Sequence, residues 1–345
     1  MQFGAKVTEE NIKEYSSSSN WKNGNFVNLE ETGMSIPLKK IPKLIYKQFI
    51  EKKGKTPKKP LSIHDFDIQK FNKNGSDFKF IWYGHSVLLL KISGLTILID
   101  PMFGPNAAPI SPFPVKRFSE NTLDIIDDLP NIDIVLLTHD HYDHLDYQSI
   151  QKLIPKVKHY YTAIGVGRHL LKWGIKKDQI TEFDWWDNKI IDSLNITFTP
   201  TRHFSGRGLK DRAKSLWGGW ALKSETKNIW FSGDGGYGNH FKEIGDKLGP
   251  FDFGFMECGQ YNENWHLIHM FPKESIQAAI DAKVNSVMPV HWGAFSLAQH
   301  SWKEPVEEFI KECQNKNLHY IVPQKGEFVD LNKVYDTKFW WRTIE

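Results

Sequence analysis

Three imidazoles and three carboxylates fall within eight positions of one stretch, His139-Asp140-His141-Tyr142-Asp143-His144-Leu145-Asp146. Neutral imidazole and carboxylate are ligands that zinc, iron or manganese accept, and no cysteine stands nearby to suggest a structural thiolate site. The alternative is a polar loop with solvated histidines. Position argues against it, because the stretch follows Ile132-Asp133-Ile134-Val135-Leu136-Leu137, a branched apolar run of the length of a strand buried on both faces. The ligands therefore begin where a strand ends. Side chains two apart share a face in extended chain, so His139 and His141 can bind one ion. Asp143 and His144 come after the chain has turned and can face a second ion beside the first.

Three other places repeat this arrangement. Ile196-Thr197-Phe198-Thr199-Pro200-Thr201-Arg202-His203 runs out of a strand into a histidine, and Val287-Met288-Pro289-Val290-His291 does the same. In Ile229-Trp230-Phe231-Ser232-Gly233-Asp234-Gly235-Gly236 an apolar strand meets an aspartate set among glycines, which let backbone approach a site closely. Alone, a histidine after a strand is usually solvated, and Gly-Asp-Gly-Gly is usually a turn. Together with the central motif they supply seven ligands: His139, His141, Asp143, His144, His203, Asp234 and His291. That is enough for two ions and one bridging carboxylate.

The elements that must position these residues are legible from apolar runs. Phe78 to Tyr83, Ser86 to Ile92 and Thr96 to Asp100 read as an antiparallel meander, which Pro101 ends because proline cannot donate to a ladder. Residues 102–119 carry four prolines and read as a long loop able to line a cleft. Beyond the motif, strands and helices alternate: helices over 147–154, 166–173, 272–282 and 302–315, and strands over 158–161, 180–183, 194–199, 217–223, 228–232, 251–256 and 286–290. An order of strands first, then alternating strand and helix, predicts a sheet-on-sheet α/β core with helices outside. Residues 1–60 differ, with serines 16–19, many lysines and four prolines, and read as a surface extension before a single domain over 61–345. Within it, residues 36–50 mix apolar and cationic side chains and read either as an interfacial segment or as a short helix packed on the domain.

Composition bounds the remaining choices. At 345 residues, 40% hydrophobic and 25% charged, the chain has the balance of a globular protein, and a net charge of +3 gives no bulk basic field for nucleic acid. Two cysteines, Cys258 and Cys313, are too few for a disulfide framework and suit a reducing compartment. The first residues lack an apolar core of the kind that targets secretion, and no run approaches a membrane span, so a cytoplasmic protein is expected.

These motifs carry a resemblance. His-x-His-x-Asp-His with His203, Asp234 and His291 downstream is similar to the metallo-β-lactamase superfamily, over about residues 78–325. Trp82-Tyr83-Gly84-His85-Ser86, Asp100-Pro101-Met102-Phe103, His203-Phe204-Ser205-Gly206-Arg207, Gly233-Asp234-Gly235-Gly236-Tyr237 and His291-Trp292-Gly293-Ala294-Phe295 resemble the branch containing the phospholipase D that hydrolyses N-acyl-phosphatidylethanolamines. The resemblance implies a four-layer αβ/βα sandwich of two mixed sheets. His139, His141 and His203 would hold one divalent ion, Asp143, His144 and His291 a second, and Asp234 would bridge. It implies zinc, with iron or manganese accepted. Asp100 would orient an imidazole. His85 would have either a branch-specific or a core role. A homodimer follows from the same resemblance.

The expected chemistry is that of a phospholipase D-like phosphodiesterase acting in lipid metabolism. Two ions about 3.5 to 4 Å apart can aim a shared hydroxide in line at phosphorus. Asp143 would orient or relay the proton. His269, in His269-Met270-Phe271-Pro272-Lys273-Glu274, resembles a branch histidine near the reacting group and is the candidate for substrate contact or proton transfer. Trp265, Trp292, Phe295 and Trp302 are candidates for an acyl groove. The substrate would be a phospholipid or small phosphodiester, with peripheral membrane contact as an option. The same ligands would serve a hydrolase of a lactone, small phosphodiester or nucleotide, and a metal-binding module with little catalysis, recruited to a membrane or partner through the basic segment near Lys39 to Lys47, is the remaining option.

Overall fold

The apolar runs of the sequence become the strands of two seven-stranded sheets in a computed structural model, which describes residues 1–33, Lys39, Pro42, Tyr46, 54–73, 77–108, 114–208 and 210–344. A two-residue hairpin comes first, β1 (Trp21–Lys22) with β2 (Asn25–Phe26). Then follow β3 (Phe78–Trp82), β4 (Leu88–Ile92), β5 (Leu95–Ile99), β6 (Ile132–Leu137), β7 (Val157–Ala163) and β8 (Ile180–Phe183). The second half supplies β9 (Asn188–Ile191), β10 (Leu194–Thr199), β11 (Gly219–Lys223), β12 (Asn228–Phe231), β13 (Phe253–Glu257), β14 (Ser286–Val290) and β15 (His319–Tyr320), and the chain returns as β16 (Phe328–Asp330).

One sheet has the order β16-β3-β4-β5-β6-β7-β8 and the other β15-β14-β13-β12-β11-β10-β9. Each is antiparallel on one side and parallel on the other: β5 to β8 run parallel in the first, β12 to β15 in the second. β6 lies between two parallel neighbours and is almost wholly buried, which is why its sequence is apolar on both faces except at the half-buried Asp133 rather than an alternation.

The sheets meet face to face through aromatic rings. Phe80 packs 5.6 Å from Phe253 and 5.0 Å from Phe255, and Phe183 packs 5.2 Å from Trp220. Helices cover the outer faces, giving a four-layer αβ/βα sandwich. One of them, His240–Lys247, is not foreseen by the sequence reading. It carries Gly245 in its middle and begins just after a glycine-rich turn, so its signal is weak. Tertiary packing holds it, with Phe241 edge-on to Trp230.

The residues expected to form a surface extension meet the body at many points over their described part. Tyr15, Trp21 and Phe26 form an aromatic cluster, and Phe26 donates its N–H to the Ala213 carbonyl. The expected basic segment over 36–50 lies, apart from Lys39, Pro42 and Tyr46, outside the described residues. No helix among the described residues is long and apolar enough to cross a membrane.

Strand directions explain where function can gather. β10 and β12 both pair antiparallel with β11, so they end at the same edge, and β13 and β14 run parallel to β12. The carboxyl ends of these strands face the carboxyl ends of β5 and β6 across the sandwich. Asp100, His139, His203, Asp234, Glu257 and His291 all lie at or just beyond such ends.

Candidate metal centre

His139 and His141 leave the end of β6 and meet His203 from the end of β10. His139 Nε2 is 2.9 Å from His141 Nδ1, which is 3.2 Å from His203 Nε2. Ring nitrogens this close repel unless a cation or proton lies among them. Protons are scarce there. Burial, then the neighbouring imidazoles, hold His139 and His203 well below the usual histidine range, and burial brings His141 down to about 4. Three lone pairs with few protons to share suit a metal ion.

A second group gathers beside it. Asp143, His144 and His291 converge with His85, each offering an atom within 4.8 Å of the others. Asp234 stands between the two groups: its Oδ2 is 3.0 Å from His144 Nε2, 3.0 Å from His291 Nε2 and 4.0 Å from His139 Nε2. The buried His144 Nε2 and His291 Nε2 face that carboxylate in contacts too poorly aligned to count as good hydrogen bonds. An unmatched buried nitrogen costs on the order of 1–3 kcal/mol, so its direction toward a shared carboxylate fits a metal ligand. Burial opposes charge on both rings, but Asp234 and the carboxylates around it outweigh burial: His144 is held well above its usual value and His291 is pushed up to about 10. Without an ion, these two rings hold protons in its place.

The outward nitrogens of His144, His203 and His139 are anchored, which aims the inward ones. His144 Nδ1 lies 2.8 Å from Asp100 Oδ2, and Asp100 also accepts from the Thr138 N–H at 2.9 Å and the Thr138 hydroxyl at 2.7 Å. His203 Nδ1 donates to the Ile268 carbonyl at 2.9 Å. His139 Nδ1 meets the Thr138 hydroxyl at 2.9 Å. Such partners fix ring orientation and ligand basicity.

Glycine makes the Asp234 turn possible. Gly233 has φ +65, and a Cβ there would lie 2.3 Å from the Gly218 carbonyl oxygen. Only glycine fits that approach.

All seven ligand candidates thus come together, and His269 joins them. Its ring lies 5.0 Å from that of His203 and 5.2 Å from that of His291, and its Nδ1 hydrogen-bonds Glu257 Oε1. Glu257 is fully buried and its Oε2 accepts from the Gly235 N–H at 2.8 Å. Burial raises its carboxyl above the ordinary value, while His269 pulls the other way. The sequence reading missed Glu257, although it carries the same signal as the others: a carboxylate ending an apolar strand.

His85 proves to be part of the centre. It sits in the β3–β4 turn at φ +53 with its ring tilted against that of His291 at 4.1 Å, and its Nε2 is 2.9 Å from Asp143 Oδ2. Burial, then His291, lowers it to about 3, so it is neutral and donates to that carboxylate.

Of the motif's three carboxylates only Asp143 faces the centre. Asp146 caps the helix Tyr147–Leu153 by accepting from the Ser149 N–H at 2.8 Å. Asp140 turns away to accept from the Gly206 N–H at 2.7 Å and the Ser215 hydroxyl at 2.7 Å, with His169 Nε2 at 3.2 Å. Arg207 locks the turn by donating to the Asp140 and Leu145 carbonyls, each at 2.7 Å.

The centre opens into a cleft of about 240 Å³ lined by His141, Asp143, Asp234, His269, His291, Phe204, Gln260, Trp265, Ile268 and Leu297. The expected aromatic groove is corrected here. Trp265 does line the cleft, but Trp292, Phe295 and Trp302 are buried: Trp292 stacks between Trp82 and Trp340, and Phe295 lies under the Arg117 guanidinium. None of these cleft residues comes from the described part of the 102–119 loop. That part packs beneath the motif, where the Phe103 N–H donates to the Ser149 hydroxyl at 2.9 Å.

Comparison with known proteins follows the same lines. The family model of the β-lactamase superfamily domain matches residues 96–292. The chain is 33% identical over 330 residues to an uncharacterized protein of Mycobacterium tuberculosis, covering 94% of this chain and 88% of that one. It is 27% identical over 285 residues to the N-acyl-phosphatidylethanolamine-hydrolyzing phospholipase D 1 of Caenorhabditis elegans, covering 77% and 79%. Among solved structures, a metallo hydrolase of the archaeon Ignicoccus hospitalis superposes with a TM-score of 0.57 at 21% identity, covering 75% of this chain and 99% of that one.

Proposed function

The chain belongs to the metallo-β-lactamase superfamily as a metal-dependent hydrolase, and on that footing we propose that it is a phospholipase D-type phosphodiesterase. Its substrate is N-acyl-phosphatidylethanolamine, and its products are phosphatidate and an N-acylethanolamine. The observation that carries this reading is one accessible imidazole, His269, backed by a buried carboxylate and set between the two ligand groups. The similarity to a nematode phospholipase D of that specificity supports the substrate.

Five imidazoles and two carboxylates without thiolate suit zinc, with iron or manganese also accepted. When bound, two such ions supply Lewis acidity at the phosphoryl oxygens and an attacking water acidic enough to lose its proton near neutral pH. The side chains do the rest. Glu257 cannot swing away, because the Gly235 N–H holds its other oxygen, so it fixes His269 with Nδ1 inward and Nε2 toward the cleft. A proton held on Nε2 passes to the ethanolamine oxygen as its bond to phosphorus breaks. Asp143, the motif carboxylate open to the cleft, aligns the proton of the attacking water as well as binding metal. Phe204, Trp265, Ile268 and Leu297 give the cleft an apolar wall.

A cleft of about 240 Å³ lies below the roughly 300–1,000 Å³ of pockets that enclose a drug-sized ligand. It seats the phosphoryl group and its neighbours, while acyl chains stay outside, at a bilayer surface that the protein touches peripherally. The same size favours a second reading, a small soluble phosphodiester. Assays on N-acyl-phosphatidylethanolamine, bis-p-nitrophenyl phosphate and lactones separate the two. N-acylethanolamine release, abolished by chelation or His141→Ala, is the expected result, and turnover of lactones alone overturns both.

A further inference from the structure

We infer that the segment Asn28–Thr32, far outside the matched superfamily domain, is a working part of the metal centre, with Asn28 the positioning residue for His203. The inference rests on the reading of His203 as a ligand.

His203 lies four residues beyond the end of β10, in irregular chain, where no strand partner takes its backbone groups. Asn28 takes both. Its Oδ1 accepts the His203 N–H at 3.0 Å and its Nδ2 donates to the His203 carbonyl at 2.8 Å. One rigid carboxamide thus does for this residue what a neighbouring strand does for a residue in a ladder. The same Oδ1 is fixed in turn by the Trp217 indole N–H at 3.1 Å, and that tryptophan is buried.

The neighbours of Asn28 extend the clamp. Arg202, just before the ligand, donates Nε to the Thr32 hydroxyl at 2.9 Å and Nη2 to the Glu31 carbonyl, while Nη1 reaches the Tyr237 carbonyl at 3.0 Å. Glu30 accepts from the Asn239 N–H at 2.7 Å. The segment therefore ties the loop carrying His203 to the loop carrying Asp234. Metal–ligand distances tolerate shifts of only about 0.2 Å, so a backbone fixed this way sets affinity.

The other ligands have different supports. His144 is aimed by Asp100 and His291 is locked by the backbone of His85, and neither depends on residues 28–32. Loss of Asn28 should then weaken one ion and spare the other.

The test is a competition titration of Zn²⁺ against a chromophoric chelator, using the full chain, Asn28→Ala, Asn28→Asp, His203→Ala and Thr8→Ala. Asn28→Asp keeps the shape but replaces the donor to the His203 carbonyl by a charged carboxylate oxygen, which that carbonyl repels. Thr8→Ala removes a helix cap in the same terminal region, remote from the centre. In both Asn28 variants, the step that His203→Ala abolishes should weaken by about 10- to 100-fold, while the other step and both steps of Thr8→Ala stay within about twofold of wild type. Two ions bound with wild-type affinities by both Asn28 variants would overturn the inference. Equal weakening of both steps, matched by Thr8→Ala, would overturn it too, as general destabilisation. A wild type that binds no Zn²⁺ removes the ligand reading itself, a different failure.

Discussion

At the scale of single residues, the proposed mechanism separates groups that would hold ions from groups that would move protons. His269→Ala should retain both ions and lose about 10²- to 10⁴-fold in kcat, the ordinary worth of a positioned acid. Glu257→Gln should keep the ions and shift the pH profile of kcat, because it changes the partner that fixes the His269 proton. Equal metal content and unchanged kinetics in either variant would remove the proton-transfer role. Asp234→Asn should instead strip metal, since one carboxylate faces both ligand groups. Metal uptake should also release protons at neutral pH. His291 in the ion-free protein is pushed up to about 10 and His144 is held well above its usual value, so both carry protons that an ion must displace. Calorimetry in buffers of different ionisation heat reads that release directly.

At the scale of elements, the site is a consequence of strand direction. Phe255→Ala should cost about 3–5 kcal/mol in denaturant unfolding, because that ring meets both Phe80 and Phe253 between the sheets. Gly233→Ala should disorder the Asp234 turn and lower metal content while the sheets still form. Much of this was legible in the sequence. Buried strands read as largely apolar runs, so β6, β12 and β14 announced their ends, and polar residues just past those ends stood out. Glu257 carries the same signal at the end of β13 but stands alone there, and a lone glutamate after an apolar strand is ordinarily a solvated strand end. The helix His240–Lys247 was hidden by its glycine. The contacts of Asn28 with His203 join residues 175 apart and leave no local trace in composition or periodicity.

At the scale of the whole molecule, the candidate metal ligands come from both sheets. His139, His141 and His144 follow β6 of one, and His203, Asp234 and His291 follow strands of the other. Bound ions would therefore cross-link the sandwich, and chelation should lower Tm, with free ion at about a thousand times Kd contributing about 4 kcal/mol per site. The metal-free protein should also lose stability in acid. Burial lowers His169 to about 4 and His240 to about 3 from the usual 6.5. A base whose folded pKa is depressed takes up protons on unfolding, so this contribution is complete above about pH 6.5 and is lost as pH falls toward 4 and then 3. His240→Leu should flatten that fall in urea unfolding measured between pH 7 and 4. The most direct test of the central claim is turnover of N-acyl-phosphatidylethanolamine measured while divalent metal is added stepwise to chelated protein. Activity rising to a plateau at two ions per chain is the predicted result, and full N-acylethanolamine release by protein free of metal would contradict it.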